Sequence, residues 1–153
     1  MNNLELKIPP VLLVAITVAV MWVLSQISPE LSFTISAAAL WASGLALLGI
    51  GIAVSGVLAF RTAGTTVDPR VPEQSEALVV RGIYRFSRNP MYLGFLLVLA
   101  AWCLYLGSVL SLLCLPLFVL YMNRFQIVPE ERFMREKFGE VYRLYEAGVR
   151  RWV

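Results

Sequence analysis

Two polar segments carry the residues whose types and spacing are suited to chemistry. In the first, Asn89 followed by Pro90 has the pattern of a helix N-cap and its first helical residue. A helix is therefore predicted to begin there, with free backbone N–H groups and a positive dipole end. Arg81, Arg85 and Arg88 precede it. Such an end favours an anion, but a simple cap with interfacial arginines explains the same residues.

The second polar segment follows a long apolar run. Pro129 is typical of a first helical turn, and Glu130 and Glu131 behind it suit the positive end of the helix dipole. Gly139 is predicted to end or bend this helix. If the two glutamates do more than compensate the dipole, they form a polar pocket at the lipid boundary together with the arginines of the first segment.

The absence of histidine narrows the chemistry further. It removes the usual metal ligand, the usual general base near neutral pH and any Ser-His or Cys-His nucleophile pair. Cys103 and Cys114 lie inside apolar runs without Cys-x-x-Cys spacing, so neither a disulfide framework nor a zinc site is indicated. A hydrolase is therefore disfavoured, and no bound metal is predicted.

The elements that must position these segments are apolar. The 153 residues are 59% hydrophobic and only 15% charged, and the mean hydropathy of +0.73 is typical of a membrane protein. Four apolar segments are each long enough to cross a bilayer, at residues 9–27, about 29–60, 90–106 and 108–125. The predicted fold is an all-α polytopic membrane protein whose four transmembrane helices form two hairpins.

The basic residues predict the orientation. All 13 lysines and arginines fall on one predicted side: one before the first span, five between the second and third, and seven at the end of the fourth or after it. By the positive-inside rule, both termini and the loop at residues 61–88 are cytoplasmic, and the protein is integral to the inner membrane. The net charge of +3 follows from this orientation and requires no nucleic acid.

Several elements have predicted packing roles. Residues 126–153 are expected to form a helical segment that lies on the cytoplasmic membrane surface. Its apolar stripe comprises Met134, Phe138, Val141, Tyr142 and Tyr145. The second span carries a predicted small-residue packing face of Ala38, Ala42, Ala46, Gly51 and Ser55. Pro116 is predicted to kink the fourth span.

The two polar segments together contain one series of residues at characteristic spacing: Leu78, Val79, Gly82, Tyr84, Arg88, Pro90, Tyr92, Gly94, Glu130, Glu131, Phe138, Gly139, Tyr142 and Tyr145. With the upstream Arg61-Thr62-x-x-Thr65, this series resembles the isoprenylcysteine carboxyl methyltransferase family and its relatives among membrane phospholipid and thiol methyltransferases. The resemblance covers residues 57–153. Asn89 occupies the position of the family's histidine, so it can hydrogen-bond there but cannot titrate.

The resemblance implies that S-adenosylmethionine is the methyl donor. It divides the chain into an N-terminal two-span hairpin (1–60) and a methyltransferase core (61–153), which holds the loop, the last two spans and the C-terminal segment. The implied donor-binding residues are Leu78, Val79, Val80, Gly82, Tyr84, Arg88, Asn89, Tyr92, Glu130 and Glu131. Arg88 and Arg124 are expected to orient the acceptor and Glu130 to hold the donor's polar end, which makes these three the predicted catalytic residues.

The predicted function is methyl transfer to a lipophilic small acceptor. A carboxylate of the isoprenylcysteine type is favoured, because an anionic acceptor needs no general base and the chain has no histidine. A phospholipid amine or a thiol is the alternative, and an amine would require Glu130 or Glu131 to have a raised pKa. A non-catalytic helical membrane subunit is a second alternative. The sequence leaves the oligomeric state open.

Overall fold

The computed structural model describes residues 5–64 and 77–153, and its regular elements there are helices. They are α1 (Pro10–Ile27), α2 (Ala38–Thr62), α3 (Pro90–Leu106), α4 (Val109–Leu112), α5 (Cys114–Tyr121) and α6 (Val128–Gly148). A π-helical turn, Met122–Ile127, joins α5 to α6, and short 3-10 helices lie at Pro29–Leu31 and Gly82–Arg85. The all-helical prediction is confirmed.

Three helical runs are long and apolar enough to cross a membrane. They are α1, α2 and the run Val109–Gly148 that contains α4 to α6. The 17-residue α3 is a shorter apolar helix. Large apolar side chains such as Trp22, Trp41 and Leu47 are exposed on the surface. Such a surface is typical of a protein surrounded by lipid.

The second apolar segment does not form one helix from residue 29. Pro29–Leu31 forms a 3-10 turn, and α2 begins only after Ala37, which has a left-handed φ of 56°. Between them the Phe33 N–H donates to the Gly107 carbonyl at 2.7 Å. This bond gives the Phe33 N–H an acceptor although it is not part of a helix. Residues 29–37 therefore form a turn that is hydrogen-bonded to the turn after α3.

Helices α2 and α3 pack closely through small residues. The buried residues of α2 are Ala42, Gly49 and Gly56. A Cβ added at Gly49 would lie 2.7 Å from the carbonyl oxygen of Gly94 on α3, so the two backbones touch there. The predicted packing face is right at Ala42 but wrong at Gly51 and Ser55, which are exposed. The reason is that α3 contacts α2 at Gly49, Ala53 and Gly56, which lie on a different face from Gly51 and Ser55.

Helix α1 packs on α3, α4 and α5, whereas α2 packs mainly on α3. The Trp102 indole donates to the Val18 carbonyl at 3.2 Å, and the Ser111 hydroxyl donates to the Met21 carbonyl at 3.0 Å. The fourth span is interrupted at Leu113. This agrees with the predicted kink, since Pro116 has no N–H for the carbonyl four residues before it. The division of the chain at residue 60 stays a prediction.

The segments that carry the basic residues meet at one end of the bundle. There the Leu6 N–H donates to the Phe125 carbonyl at 3.0 Å. That carbonyl is free because Pro129, four residues later, has no N–H. At the same end the Phe60 ring of α2 packs edge-on against Tyr84, with 5.3 Å between ring centroids. The two polar segments therefore lie next to each other.

Candidate active site

The start of α3 agrees with the prediction, but the Asn89 side chain does not. Pro90 is the first residue of α3 and Asn89 occupies the N-cap position. The side chain of Asn89 makes no cap hydrogen bond. Its Nδ2 donates instead to the Arg151 carbonyl at 3.0 Å, and its backbone N–H donates to the Ser87 hydroxyl at 3.1 Å. The predicted side-chain cap is wrong: the bond from Nδ2 to the C-terminal tail orients the amide, and its oxygen accepts no hydrogen bond from the first turn of α3.

Glu131 lies buried among arginines, with 3% of its surface exposed. Arg88 Nη2 lies 2.8 Å from its Oε1. Arg151 binds both carboxylate oxygens, with Nε 2.9 Å from Oε1 and Nη2 2.6 Å from Oε2. Arg135 Nη2 lies 3.5 Å from Oε2. A buried carboxylate requires such partners, and this one is fully paired.

Arg88 belongs to the same cluster. Its side chain is 9% exposed, and its Nη1 donates to the carbonyls of Glu146 at 2.8 Å and Val149 at 3.1 Å. Its Nε is buried and has no hydrogen-bond partner among the described residues. Arg88 is thus held through its two Nη atoms, while its Nε–H has no acceptor in the described part of the chain.

Glu130 is the sequence neighbour of Glu131, but its partners are neutral. The Tyr92 hydroxyl donates to Glu130 Oε1 at 2.6 Å and Gln126 Nε2 donates to the same oxygen at 2.5 Å. No cation pairs with it within residues 5–64 and 77–153. Burial raises the pKa of the Glu130 carboxyl to about 8, against the lowering effect of these two hydrogen bonds. Such a carboxylate favours a positively charged ligand.

Tyr84 joins the cluster from the 3-10 helix before α3. It is buried, and its carbonyl accepts a hydrogen bond from the Tyr145 hydroxyl at 2.7 Å. Burial, with smaller effects of Tyr145 and Glu130, raises the pKa of Tyr84, so the hydroxyl stays protonated. Tyr142 is buried too, whereas Val141 is exposed. The predicted apolar stripe of α6 is thus divided, and its placement on the membrane surface stays a prediction.

The structure brings together most, but not all, of the predicted site residues. Those that meet at the starts of α3 and α6 are Tyr84, Arg88, Asn89, Tyr92, Glu130 and Glu131. Arg124 is exposed, with its guanidinium 6.0 Å from the Phe125 ring, and no contact within the described ranges joins it to either glutamate. In the loop, Val79 is buried, Leu78 is half-buried, and Val80 and Gly82 are exposed. The Thr65 end of the upstream motif lies outside the described residues.

Sequence reasoning missed Arg135, Glu146 and Arg151. Arg135 binds the Glu146 carboxylate through two hydrogen bonds, of 2.8 and 2.5 Å, although eleven residues separate them. Gly139 makes this contact possible: its φ of 55° and ψ of −126° kink α6, as predicted, and turn the second half back. The kink has a sequence signal in Gly139. Arg135 and Glu146, which the kink brings together, have no sequence signal that marks them as partners.

The described residues contain no group of histidine, cysteine or acidic side chains arranged to hold a metal ion. A family model described as phospholipid methyltransferase matches residues 37–141, which include the loop motif, the two glutamates and Phe138-Gly139. A Haemophilus influenzae protein named "Uncharacterized protein" is 49% identical over 63 residues, which are 41% of this chain and 100% of that protein. No solved structure matches the chain.

Proposed function

Since the chain belongs to the phospholipid methyltransferase family, we propose that it is a membrane enzyme that transfers the methyl group of S-adenosylmethionine to a lipophilic acceptor. One observation carries the proposal: Arg88, just before α3, binds Glu131 at 2.8 Å, while Tyr92 in the first turn of α3 binds Glu130 at 2.6 Å. These two contacts join the polar segments that the sequence separates.

The cluster suits both charges of the donor's amino-acid end. Glu130 has no cation partner among the described residues, and Arg88 Nε has no acceptor there. The Glu130 carboxylate suits the donor's ammonium and sulfonium charges, and the Arg88 Nε–H suits the donor's carboxylate. When bound, the donor supplies an electrophilic methyl group on sulfur. The protein's share is then to align donor and acceptor and to exclude water.

Two observations favour an acceptor that loses a proton, such as the amine of a phospholipid. Arg88, expected to orient a carboxylate, is held by Glu131 and two carbonyls, and Arg124 is exposed. In the donor-free protein burial raises the pKa of Glu130 to about 8, so where the donor's charge does not pair with this carboxylate it can take up a proton near neutral pH, as a base for an amine must. We therefore propose the amine as the preferred acceptor, ahead of a thiol and of the carboxylate of the isoprenylcysteine type. The absence of histidine had favoured that carboxylate.

We place the site at the cytoplasmic face of the inner membrane, with both termini. The positive-inside rule supports this placement, because the basic segments meet at the site's end of the bundle. The lipid bilayer then delivers the acceptor. In this proposal residues 61–153 form the methyltransferase core, to which α2 adds the packing surface at Gly56, close to Tyr84.

The test begins with donor binding to the purified protein in lipid nanodiscs. We expect specific binding, and we expect Glu130→Ala and Arg88→Ala to weaken it by about 10-fold to 100-fold, as for a lost charge-assisted hydrogen bond. Glu136→Ala is the matched control, because Glu136 is an exposed glutamate of α6. An absence of donor binding in every lipid tried would contradict the proposal and favour a non-catalytic membrane subunit.

The acceptor is tested by comparing methyl incorporation into phosphatidylethanolamine, a prenylated cysteine and a long-chain thiol. We expect the amine to be methylated fastest, and we expect Glu130→Gln to slow the amine more than the carboxylate, since only the amine has a proton to lose. Faster transfer to the prenylated cysteine, with no added loss for the amine in Glu130→Gln, would reverse this order.

A further inference from the structure

The C-terminal tail, residues 149–152, is bound to the residues that open α3. The Arg88 N–H donates to the Arg150 carbonyl at 3.0 Å, and Asn89 Nδ2 donates to the Arg151 carbonyl at 3.0 Å. The φ of −128° and ψ of 130° at Val149 are those of an extended chain. The tail therefore lies along the start of α3, beside the candidate site.

Arg151 reaches from this tail to the carboxylate that holds Arg88. Its Nε and Nη2 bind both oxygens of Glu131, at 2.9 and 2.6 Å. Arg88 Nη2 binds Oε1, one of the same two oxygens, at 2.8 Å. Because a bidentate arginine fixes the plane of a carboxylate, Arg151 sets the direction from which Glu131 binds Arg88.

The orientation of the Arg88 guanidinium decides where its Nε–H points. The guanidinium is planar, so its contacts at Nη1 and Nη2 also set the direction of the Nε–H. Of these contacts, Val149 belongs to the tail itself and Glu131 is held by Arg151. The buried Nε has no partner among the described residues. Together with the Glu146 carbonyl of α6, the tail thus sets the direction of the Nε–H, for which no described residue is an acceptor.

We propose that Arg151 is a positioning residue for the methyl donor: through Glu131 it holds Arg88 so that the Nε–H meets the donor's carboxylate. This inference rests on the proposed function. It makes the tail a working part of the site, although Arg151 itself does not touch the donor.

Arg151→Gln and Arg151→Lys test the inference, with Arg143→Gln as the control. Arg143 is an exposed arginine of α6 that pairs with Glu140 at the surface, so its substitution removes the same charge. We expect Arg151→Gln to raise the Kd and KM for the donor about 10-fold while kcat changes less than about twofold, because one charge-assisted contact of Arg88 loses its support. Arg151→Lys keeps the charge but not the bidentate geometry, and it should be intermediate.

Thermal unfolding of each variant in detergent is recorded beside donor binding. An Arg151→Gln protein that binds the donor as tightly as the wild type, or that loses kcat with an unchanged donor KM, overturns the inference and leaves Arg151 a structural role. If Arg151→Gln does not fold, Arg151→Lys decides by the same criterion. A wild type that binds no donor removes the proposed function as well, whereas a donor-binding wild type with an unaffected Arg151→Gln removes this inference alone.

Discussion

Glu130 and Glu131 show how two adjacent residues acquire different chemistry. Successive side chains of an α-helix point about 100° apart, so the two carboxylates face different neighbours. Glu131 faces the tail and meets arginines, whereas Glu130 faces α3 and meets the Tyr92 hydroxyl. The charge of Glu131 is neutralised by these arginines. Glu130 remains without a cation in the described part of the chain, which is why the proposed function assigns it the donor's positive charge.

Donor binding should tighten as the pH rises, because only ionised Glu130 attracts a cation. Burial raises the pKa of Glu130 to about 8, so the protonated form predominates at neutral pH and below. Between about pH 5.5 and about pH 7.5, each pH unit should lower the donor Kd about 10-fold, in step with the ionised fraction. Equilibrium binding across this range measures the slope.

Glu130→Gln is the control for this pH dependence. It keeps the size of the side chain and removes the titrating group, so its donor affinity should be weak and nearly constant across the same range. A wild-type Kd that does not change with pH would show that Glu130 does not face the donor's charge.

Among the helices, α3 has the central position in both packing and chemistry. Gly94 on α3 meets Gly49 and Ala53 on α2, half a turn after Tyr92. Because the backbones touch there, the contact also sets how far Tyr92 and the residues before α3 lie from α6. The close contact between α2 and α3 therefore supports the site, so a substitution that separates the helices should also weaken donor binding.

Gly94→Ala should disturb both stability and donor binding. Its Cβ would lie 2.8 Å from the Cβ of Ala53 and 2.9 Å from the Ala53 nitrogen, so α2 and α3 must separate. The expected loss in the free energy of unfolding is about 1–3 kcal/mol, as for overpacked sites. Unfolding in mixed micelles with increasing denaturing detergent measures it.

Gly44→Ala and Gly51→Ala are the matched controls, since a Cβ at either position meets nothing within 4 Å. They should be neutral or stabilising by up to about 1 kcal/mol, because alanine loses less chain entropy than glycine in a helix. If Gly94→Ala were as stable as these two variants, the α2–α3 contact would not be tight.

The whole molecule has two unlike ends joined by an apolar body. At one end the basic segments and both described termini meet, as Arg132 with Glu5 and Arg88 with Glu131 show. At the other end the two short turns bind each other. This polarity supports one insertion direction, with the site's end in the cytoplasm.

Labelling of single introduced cysteines tests that direction. Glu140→Cys marks the site's end and Thr34→Cys marks the other end, and both residues are exposed. The native Cys103 and Cys114 are buried and should contribute little background. In intact spheroplasts an impermeant maleimide should label Thr34→Cys but not Glu140→Cys, and permeabilisation should expose both. Labelling of Glu140→Cys alone in intact spheroplasts would reverse the orientation.

Local patterns in the sequence were sufficient for the helices and for several of their ends. Long apolar runs predicted the apolar helices, Asn89-Pro90 the start of α3, and Gly139 the kink in α6. The motif spacing predicted the family, which the match over residues 37–141 confirms. These features are readable because hydropathy, a missing N–H and a left-handed φ act within a few residues of the chain.

Tertiary packing alone set the partners. The Asn89 amide meets the Arg151 carbonyl 62 residues away, and Arg88 meets Glu131 43 residues away. Nothing local distinguishes Arg151 from the arginine before it, or the face of α2 that meets α3 from the face that does not. Such contacts depend on how kinked helices and an extended tail come together in space, and a hydrogen bond depends on geometry within a few tenths of an ångström, which spacing along the chain does not encode.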